Sequence, residues 1–399
     1  MLNEATWQFV RQHADDDVRQ LALRGCKDRS VDLSMALQQI QGRQTARRKL
    51  PTWAAREGII YPPHLSLEQC SSEQTARYKA RIARELCADI HQDTKLIDLT
   101  GGFGVDFALM SEVYAEAVYV EQQPELHAIV QANLQTLGLR HATAVCADAI
   151  DFLHQTDHAT LIFIDPARRD SHGARTYGIC DCAPNVLPLM NELLEKADHV
   201  MLKLSPMLDW RKAVADIGAG HVEQVHIVAV EGECKELLLV LSAQGSPQLQ
   251  LVCANDEQTD EFEGLADSPL SVADERVAEG TFLYEPNAAL MKAGVFHQLE
   301  KRYNVKQLAP NSHLFISAEM VERFPGRTFQ IEAVSTMNKR ELKEKILPLA
   351  QANIAVRNFP TTVAELRRRL KLSEGGGNYI FATTLASNDK VLIVCQRKA

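Results

Sequence analysis

Lys95-Leu96-Ile97-Asp98-Leu99-Thr100-Gly101-Gly102-Phe103-Gly104-Val105-Asp106-Phe107 reads as a buried strand that ends in an acid, turns on glycines and enters a helix. Glycines let the backbone adopt positive φ and approach a ligand closely, and the helix start behind them offers free N–H groups and a positive dipole end. The stretch is therefore read as a cofactor-holding turn. Outward from it, spacing predicts a helix over 107–115 and a short apolar strand, Ala117-Val118-Tyr119-Val120, ending in Glu121. That acid lies about 20 residues past the glycines, where a carboxylate can accept both hydroxyls of a ribose. A helix over 124–137 leads to strand 143–146 and Asp148, and strand 160–164 runs into Asp165-Pro166-Ala167-Arg168-Arg169. Strands alternating with helices, with acids at the strand ends, predict an α/β fold on a doubly wound, Rossmann-like sheet.

Two cofactors compete for the turn. A dinucleotide fingerprint wants Gly-x-Gly-x-x-Gly, and Gly102-Phe103-Gly104-Val105-Asp106-Phe107 has Phe107 in the third glycine's place. Acid-Leu-x-x-Gly-x-Gly at the end of a first strand instead resembles motif I of class I S-adenosylmethionine methyltransferases, with Thr100 where a first glycine is common. That resemblance implies S-adenosyl-L-methionine as cofactor. It assigns Asp98, Thr100, Gly101, Gly102 and Gly104 to the cofactor turn, Glu121 to the ribose and Asp148 to the neighbourhood of the adenine amino group. Asp165 takes the motif IV position, beside both cofactor and acceptor.

Composition agrees with a multi-domain enzyme. The chain has 399 residues, 46% of them hydrophobic, and a net charge of −9, which argues against a protein that coats nucleic acid. No apolar run approaches a membrane span, and Met1-Leu2-Asn3-Glu4 lacks the form of a signal peptide, so a soluble, cytoplasmic protein is expected. Nine cysteines without paired C-x-x-C spacing point to a reducing compartment, and Cys180-x-Cys182 alone is weak evidence for a metal. Basic clusters remain as candidate RNA contacts: Arg43, Arg47, Arg48, Lys49 and Arg56 around Trp53, and Arg367, Arg368, Arg369 and Lys371 near the C-terminus.

Pattern shifts divide the chain into an N-terminal helical module (1–65), a methyltransferase-like domain (66–245), a linker with a small unit (246–325) and a final α/β unit (326–399). The acidic segment 255–267 reads as a linker or exposed excursion. Residues 281–317 read as strand, helix 286–303 and strand. In the last unit, strand 328–334, helix 338–347, strand 353–358, helix 362–371 and a hairpin 378–386/390–396 are expected. Tyr284-Glu285-Pro286-Asn287-Ala288-Ala289-Leu290-Met291-Lys292-Ala293-Gly294, the Asp165-to-Arg169 segment, Val356-Arg357-Asn358-Phe359-Pro360 and Gly375-Gly376-Gly377-Asn378-Tyr379 extend the resemblance. They resemble bacterial class I methyltransferases with a small ferredoxin-like insert and a C-terminal THUMP-like domain. RNA is the substrate and partner that this resemblance implies.

The acceptor must be read from the site. Amino-directed methyltransferases carry Asp/Asn-Pro-Pro-aromatic, and here Ala167 and Arg168 replace the second proline and the ring. Methylation at pyrimidine C5 needs a nearby cysteine, and segment 162–170 has none, leaving Cys180 and Cys234 as remote candidates. Lys79 shares its helical face with Thr75, Ala76, Ile82, Ala83, Leu86 and Ile90, while Arg77, Arg81 and Arg84 lie opposite. A lysine inside an apolar stripe must snorkel, pair or act. Lys79, Asp165, Lys203 and Glu236 resemble the Lys-Asp-Lys-Glu tetrad of ribose 2′-O-methyltransferases in order and separation. In that reading Lys203 takes or directs the hydroxyl proton, its pKa lowered by Lys79 and burial, against an opposing pull from Asp165 and Glu236. A buried ion-pair network supporting the cofactor pocket explains the same residues. A base-amine or small-molecule methyltransferase, a cofactor-binding RNA module without turnover, and a nicotinamide enzyme complete the alternatives.

Overall fold

The computed structural model describes residues 2–88, 93–168, 178–264 and 277–398. Ile90 and Arg169, both named above, lie outside them. The chain forms two compact units, Met1–Val225 with Lys235–Pro247, and His226–Cys234 with Gln248–Ala399.

The first unit opens with five helices: α1 (Glu4–Gln12), α2 (Val18–Arg24), α3 (Leu33–Lys49), α4 (Pro51–Ala55) and α5 (His64–Gln69). Asn3, Asp17 and Asp32 cap the first three by accepting an amide N–H from the first turn. Val10, Leu21, Ala36 and Ile40 form their common core. Helix α6 (Glu73–Leu86) follows, capped by Ser72, with Lys79 on its buried face beside Ala76, Ile82 and Ala83.

The α/β run then proceeds as β1 (Lys95–Asp98), α7 (Val105–Ser111), β2 (Glu116–Glu121), α8 (Pro124–Leu137), β3 (Ala142–Cys146), α9 (Ala149–Gln155) and β4 (Ala159–Ile164). It continues through α10 (Met190–Glu195), β5 (Ala197–Leu204), α11 (Trp210–Ile217), β6 (Val222–Val230) and β7 (Glu233–Leu241). Strands β3, β2, β1, β4 and β5 pair in parallel in that order. Strand β7 joins β5 antiparallel, with Leu204 opposite Leu237 and Lys203 opposite Leu238. This is the Rossmann-like sheet expected from the sequence. Chain direction reverses its lateral progress between β1 and β4, and ligands of open α/β sheets bind beyond the carboxyl ends of the strands at that switch. Because β7 is antiparallel, its first residues reach the same edge as the last residues of β5.

Helix α7 is shorter than its predicted extent of 107–115. It starts two residues earlier, directly after Gly104 at φ +76°, and ends at Ser111.

The second unit takes up β6 from His226 and adds a hairpin, β8 (Gln250–Asn255) and β9 (Gln258–Glu263), turned at Asp256 with φ +52°. The acidic segment is thus a strand for much of its length rather than a linker. As an edge strand, β9 needs few apolar residues: Phe262 is buried under the Arg302 guanidinium at 4.2 Å, and the charges discourage further pairing.

Beyond it come β10 (Phe282–Pro286), α12 (Ala288–Ala293), α13 (Phe296–Tyr303), β11 (Lys306–Gln307), β12 (Phe315–Ser317), β13 (Gly326–Thr336), β14 (Asn353–Arg357), α14 (Val363–Leu370), β15 (Asn378–Thr384) and β16 (Lys390–Arg397). The expected helix over 286–303 is two helices, because Gly294 closes α12 in the left-handed region. All seven of these strands form one sheet in the order β11-β12-β10-β13-β16-β15-β14. Gly326 starts β13 where a Cβ would lie 2.1 Å from the Glu285 carbonyl oxygen, so only glycine lets the two strands meet there.

Candidate functional site

The cofactor turn is built from both ends. Asp98, buried at the end of β1, accepts the Thr100 amide N–H at 2.9 Å. The Thr100 hydroxyl in turn accepts the Asp165 amide N–H at 2.6 Å, tying the first turn to the residue after β4. Thr100, the departure from the usual glycine, therefore joins the two motifs. Gly102 has φ +53°, where a Cβ would meet the Thr100 carbonyl oxygen at an ordinary 3.9 Å, and its N–H donates to the Glu121 carboxylate at 3.0 Å. Glu121 also accepts from the Gln123 amide at 2.8 Å. A Cβ on Gly101 would lie 2.0 Å from Cε2 of Tyr119, whose hydroxyl donates to the Gly102 carbonyl. Asp148 caps α9 through the Ile150 and Asp151 amides and is exposed.

This donor set decides what the turn suits. Asp98, Glu121 and Asp165 place carboxylates around it, a poor lining for a pyrophosphate and a good one for a cofactor carrying a sulfonium and an ammonium. Burial holds the Asp98 carboxyl well above the usual carboxylate range, outweighing the Thr100 N–H and the Lys203 ammonium.

The N-terminal module supports the turn from behind. Phe103 meets Trp53 edge-on at 5.1 Å between ring centroids and Tyr61 at 6.4 Å. Asn133 on α8 exchanges two hydrogen bonds with the Ile60 backbone, at 2.8 and 2.9 Å.

Next to the turn, Lys79, Asp165, Lys203 and Glu236 converge. Lys79 Nζ donates to the Glu236 carboxylate, and Lys203 Nζ lies 2.5 Å from Asp165 Oδ2. Sequence reasoning missed the two groups that join these pairs. Asp106, in the first turn of α7, has one oxygen 3.2 Å from Lys79 Nζ and the other 3.7 Å from Lys203 Nζ. The Ser71 hydroxyl contacts Asp106 at 2.7 Å and Glu236 at 3.2 Å. Lys79 is 0% exposed, Lys203 11% and Asp165 38% at the side chain, so only the second pair opens toward an acceptor.

The charge state of Lys203 differs from the sequence expectation. Burial alone lowers its pKa, but Asp165, Asp106 and Glu236 together outweigh burial and hold it well above the ordinary lysine value. Lys203 is a firm ammonium rather than a lysine lowered by Lys79. Asp165 is shifted upward, by burial first and by Asp106 and Glu236, with Lys203 opposing. Glu236 is shifted downward because Lys79 and Lys203 overcome its burial.

Of the two candidate cysteines, Cys180 is exposed, and Cys234 donates to the Ala288 carbonyl in the second unit. Of the basic cluster near Trp53, Lys49 donates to the Leu67 and Glu68 carbonyls at the end of α5, and Arg47 pairs with Asp15. No helix among the described residues is long and apolar enough to cross a membrane.

Comparison with known proteins places this architecture. Residues 282–325 match a family model for a ferredoxin-like domain, and residues 326–397 match a THUMP domain-like model. An uncharacterized S-adenosylmethionine-dependent methyltransferase of Mycobacterium tuberculosis (strain H37Rv) is 26% identical over 315 residues, 77% of this chain and 80% of the relative. Ribosomal RNA small subunit methyltransferase J of Legionella pneumophila is 31% identical over 83 residues, 18% of this chain and 33% of that protein. A crystal structure from Porphyromonas gingivalis W83, described as that of a methyltransferase, superposes with a TM-score of 0.85 and 31% identity, covering 100% of both chains. The chain thus belongs to the bacterial S-adenosylmethionine-dependent methyltransferases that carry a ferredoxin-like and a THUMP-like domain.

Proposed function

We propose that this enzyme methylates RNA, at a ribose 2′-hydroxyl, through the Lys79–Asp165–Lys203–Glu236 constellation. The observation that carries the reading is the convergence of these four side chains, from a helix and three strand ends as far as 157 residues apart, into one cluster beside the cofactor turn. RNA as the acceptor is supported by the THUMP-like match and by the ribosomal RNA methyltransferase among the relatives.

Bound at the turn, S-adenosylmethionine supplies an electrophilic methyl group on a sulfonium. Gly102, Glu121 and Asp98 hold the cofactor's ribose and amino acid ends in this reading, and Asp148 lies toward the adenine. A ribose hydroxyl is a weak nucleophile, so the chain must align it with the methyl group and remove its proton as the new C–O bond forms. Lys203, as an ammonium, orients the hydroxyl oxygen. Asp165, partly exposed and shifted upward in pKa, accepts the proton. Lys79 and Glu236 act at one remove, holding Asp106 and Lys203 in place; Lys79 is too deeply buried to touch RNA.

The test compares nucleosides of total RNA from wild-type and deletion cells by mass spectrometry, followed by complementation with Lys203→Met. A missing 2′-O-methylnucleoside that Lys203→Met fails to restore, while the purified variant still binds S-adenosylmethionine, is the expected result. Loss of a base methyl group instead would move the acceptor to a base amine. An unchanged RNA profile would overturn the RNA assignment.

A further inference from the structure

The N-terminal helical module contains a cavity of about 290 Å³ walled by Trp7, Arg11, Arg43, Arg56, Glu57 and Tyr61, among others. Its lining thus holds one acid and three arginines. Each arginine is tethered without being used up. Arg43 Nε donates to the Ala54 carbonyl at 3.2 Å, Arg56 donates one N–H to the Leu137 carbonyl at 3.3 Å, and Arg11 pairs with Glu4 at 2.5 Å. A guanidinium has five N–H donors, so every one of these arginines keeps donors for a ligand. Trp7 is only half-buried and offers indole surface to the same space.

We propose that this cavity binds a nucleotide, its base against Trp7 and its phosphate on Arg11, Arg43 and Arg56. Guanidinium forks match phosphate oxygens, and an aromatic face accepts any base by stacking. The volume suits one base with its sugar rather than a dinucleotide. None of these residues belongs to the charged cluster or the cofactor turn. Tyr61 nevertheless lines the cavity, and its ring lies 6.4 Å from that of Phe103 in the turn, centroid to centroid. The nucleotide is one unit of the RNA strand, an identification that rests on the RNA reading above; a free mononucleotide presents the same chemistry.

The experiment uses the full chain and two probes, uridine 5′-monophosphate and a short single-stranded RNA oligonucleotide. Binding is followed by tryptophan fluorescence, with Trp7→Phe identifying the responding ring. Wild type is compared with Arg11→Ala/Arg56→Ala, two exposed positions, and titration with S-adenosylmethionine checks that the variant is folded. The double variant is expected to bind the oligonucleotide about 10-fold or more weakly, and its plot of log K against log salt to become shallower by about 0.7 for each phosphate it no longer neutralises. Quenching of Trp7 by the mononucleotide without any response to the oligonucleotide upholds the cavity as a nucleotide site while removing RNA as its occupant. Equal binding of both probes by wild type and double variant, or no binding to either, overturns the proposal.

Discussion

Lys203 Nζ sits 2.5 Å from Asp165 Oδ2, and each shifts the other toward its charged form against the pull of burial on both. If Asp165 accepts the proton, turnover rises with pH through an Asp165 pKa above the ordinary aspartate value of 3.8. Removing the ammonium in Lys203→Met takes away the influence that lowers this pKa, so the acid limb of kcat/KM moves to still higher pH. A pH–rate profile of the two proteins checks this, and an unmoved limb removes Asp165 from the proton path.

Lys79 answers two buried carboxylates, Glu236 and Asp106. Lys79→Met takes the nearer cation from both, leaving only Lys203 close by, and is expected to cost about 3–5 kcal/mol of stability. Lys79→Met/Glu236→Gln removes one of the stranded charges and should recover a large part of that loss. Denaturant unfolding of the two single variants and the double variant yields the coupling directly.

Acid should expose the same network. Glu236 has a folded pKa depressed to about 2 from 4.5. Its ionised form therefore contributes stability above the unfolded value, and that contribution is lost as pH falls from about 4.5 toward 2. In Glu236→Gln the unfolding free energy falls less steeply over that window, as thermal melts across the range would reveal.

Gly101 has no room for a side chain. The Tyr119 ring that a Cβ would strike is fixed by its bond to the Gly102 carbonyl and by an edge contact with Phe107 at 5.6 Å. Gly101→Ala is expected to cost about 1–3 kcal/mol through overpacking. It should also weaken S-adenosylmethionine binding, because the strain falls on the turn itself; calorimetric titration measures that weakening.

The parts of this site written as local pattern were legible in the sequence. Glycine spacing marked the turn, apolar runs marked strands whose ends carry Asp98, Glu121 and Asp165, and helical phase exposed Lys79 as a cation on an apolar face. Asp106 gave no such signal. An acid in the first turn of a helix already has a sufficient role there, complementing the dipole, and its second role depends on how α6 and α7 pack. Ser71 was masked in the same way by its neighbour Ser72, the α6 cap. Without Asp106 the charges around Lys203 looked closer to balance, and the direction of its pKa shift was misjudged. The acidic strand β9 was misread because an edge strand has little apolar alternation to display.

The charged cluster comprises three carboxylates, Asp106, Asp165 and Glu236, against two ammoniums, Lys79 and Lys203. Fully ionised, it carries one negative charge in excess beside the glycine turn. In the proposed reaction a sulfonium cancels that excess before transfer, and the proton accepted by Asp165 cancels it afterwards, so the cluster with its ligands is neutral on both sides of the step. Asp165 must then release that proton before the cluster again favours a charged donor, which ties reloading with S-adenosylmethionine to deprotonation of Asp165.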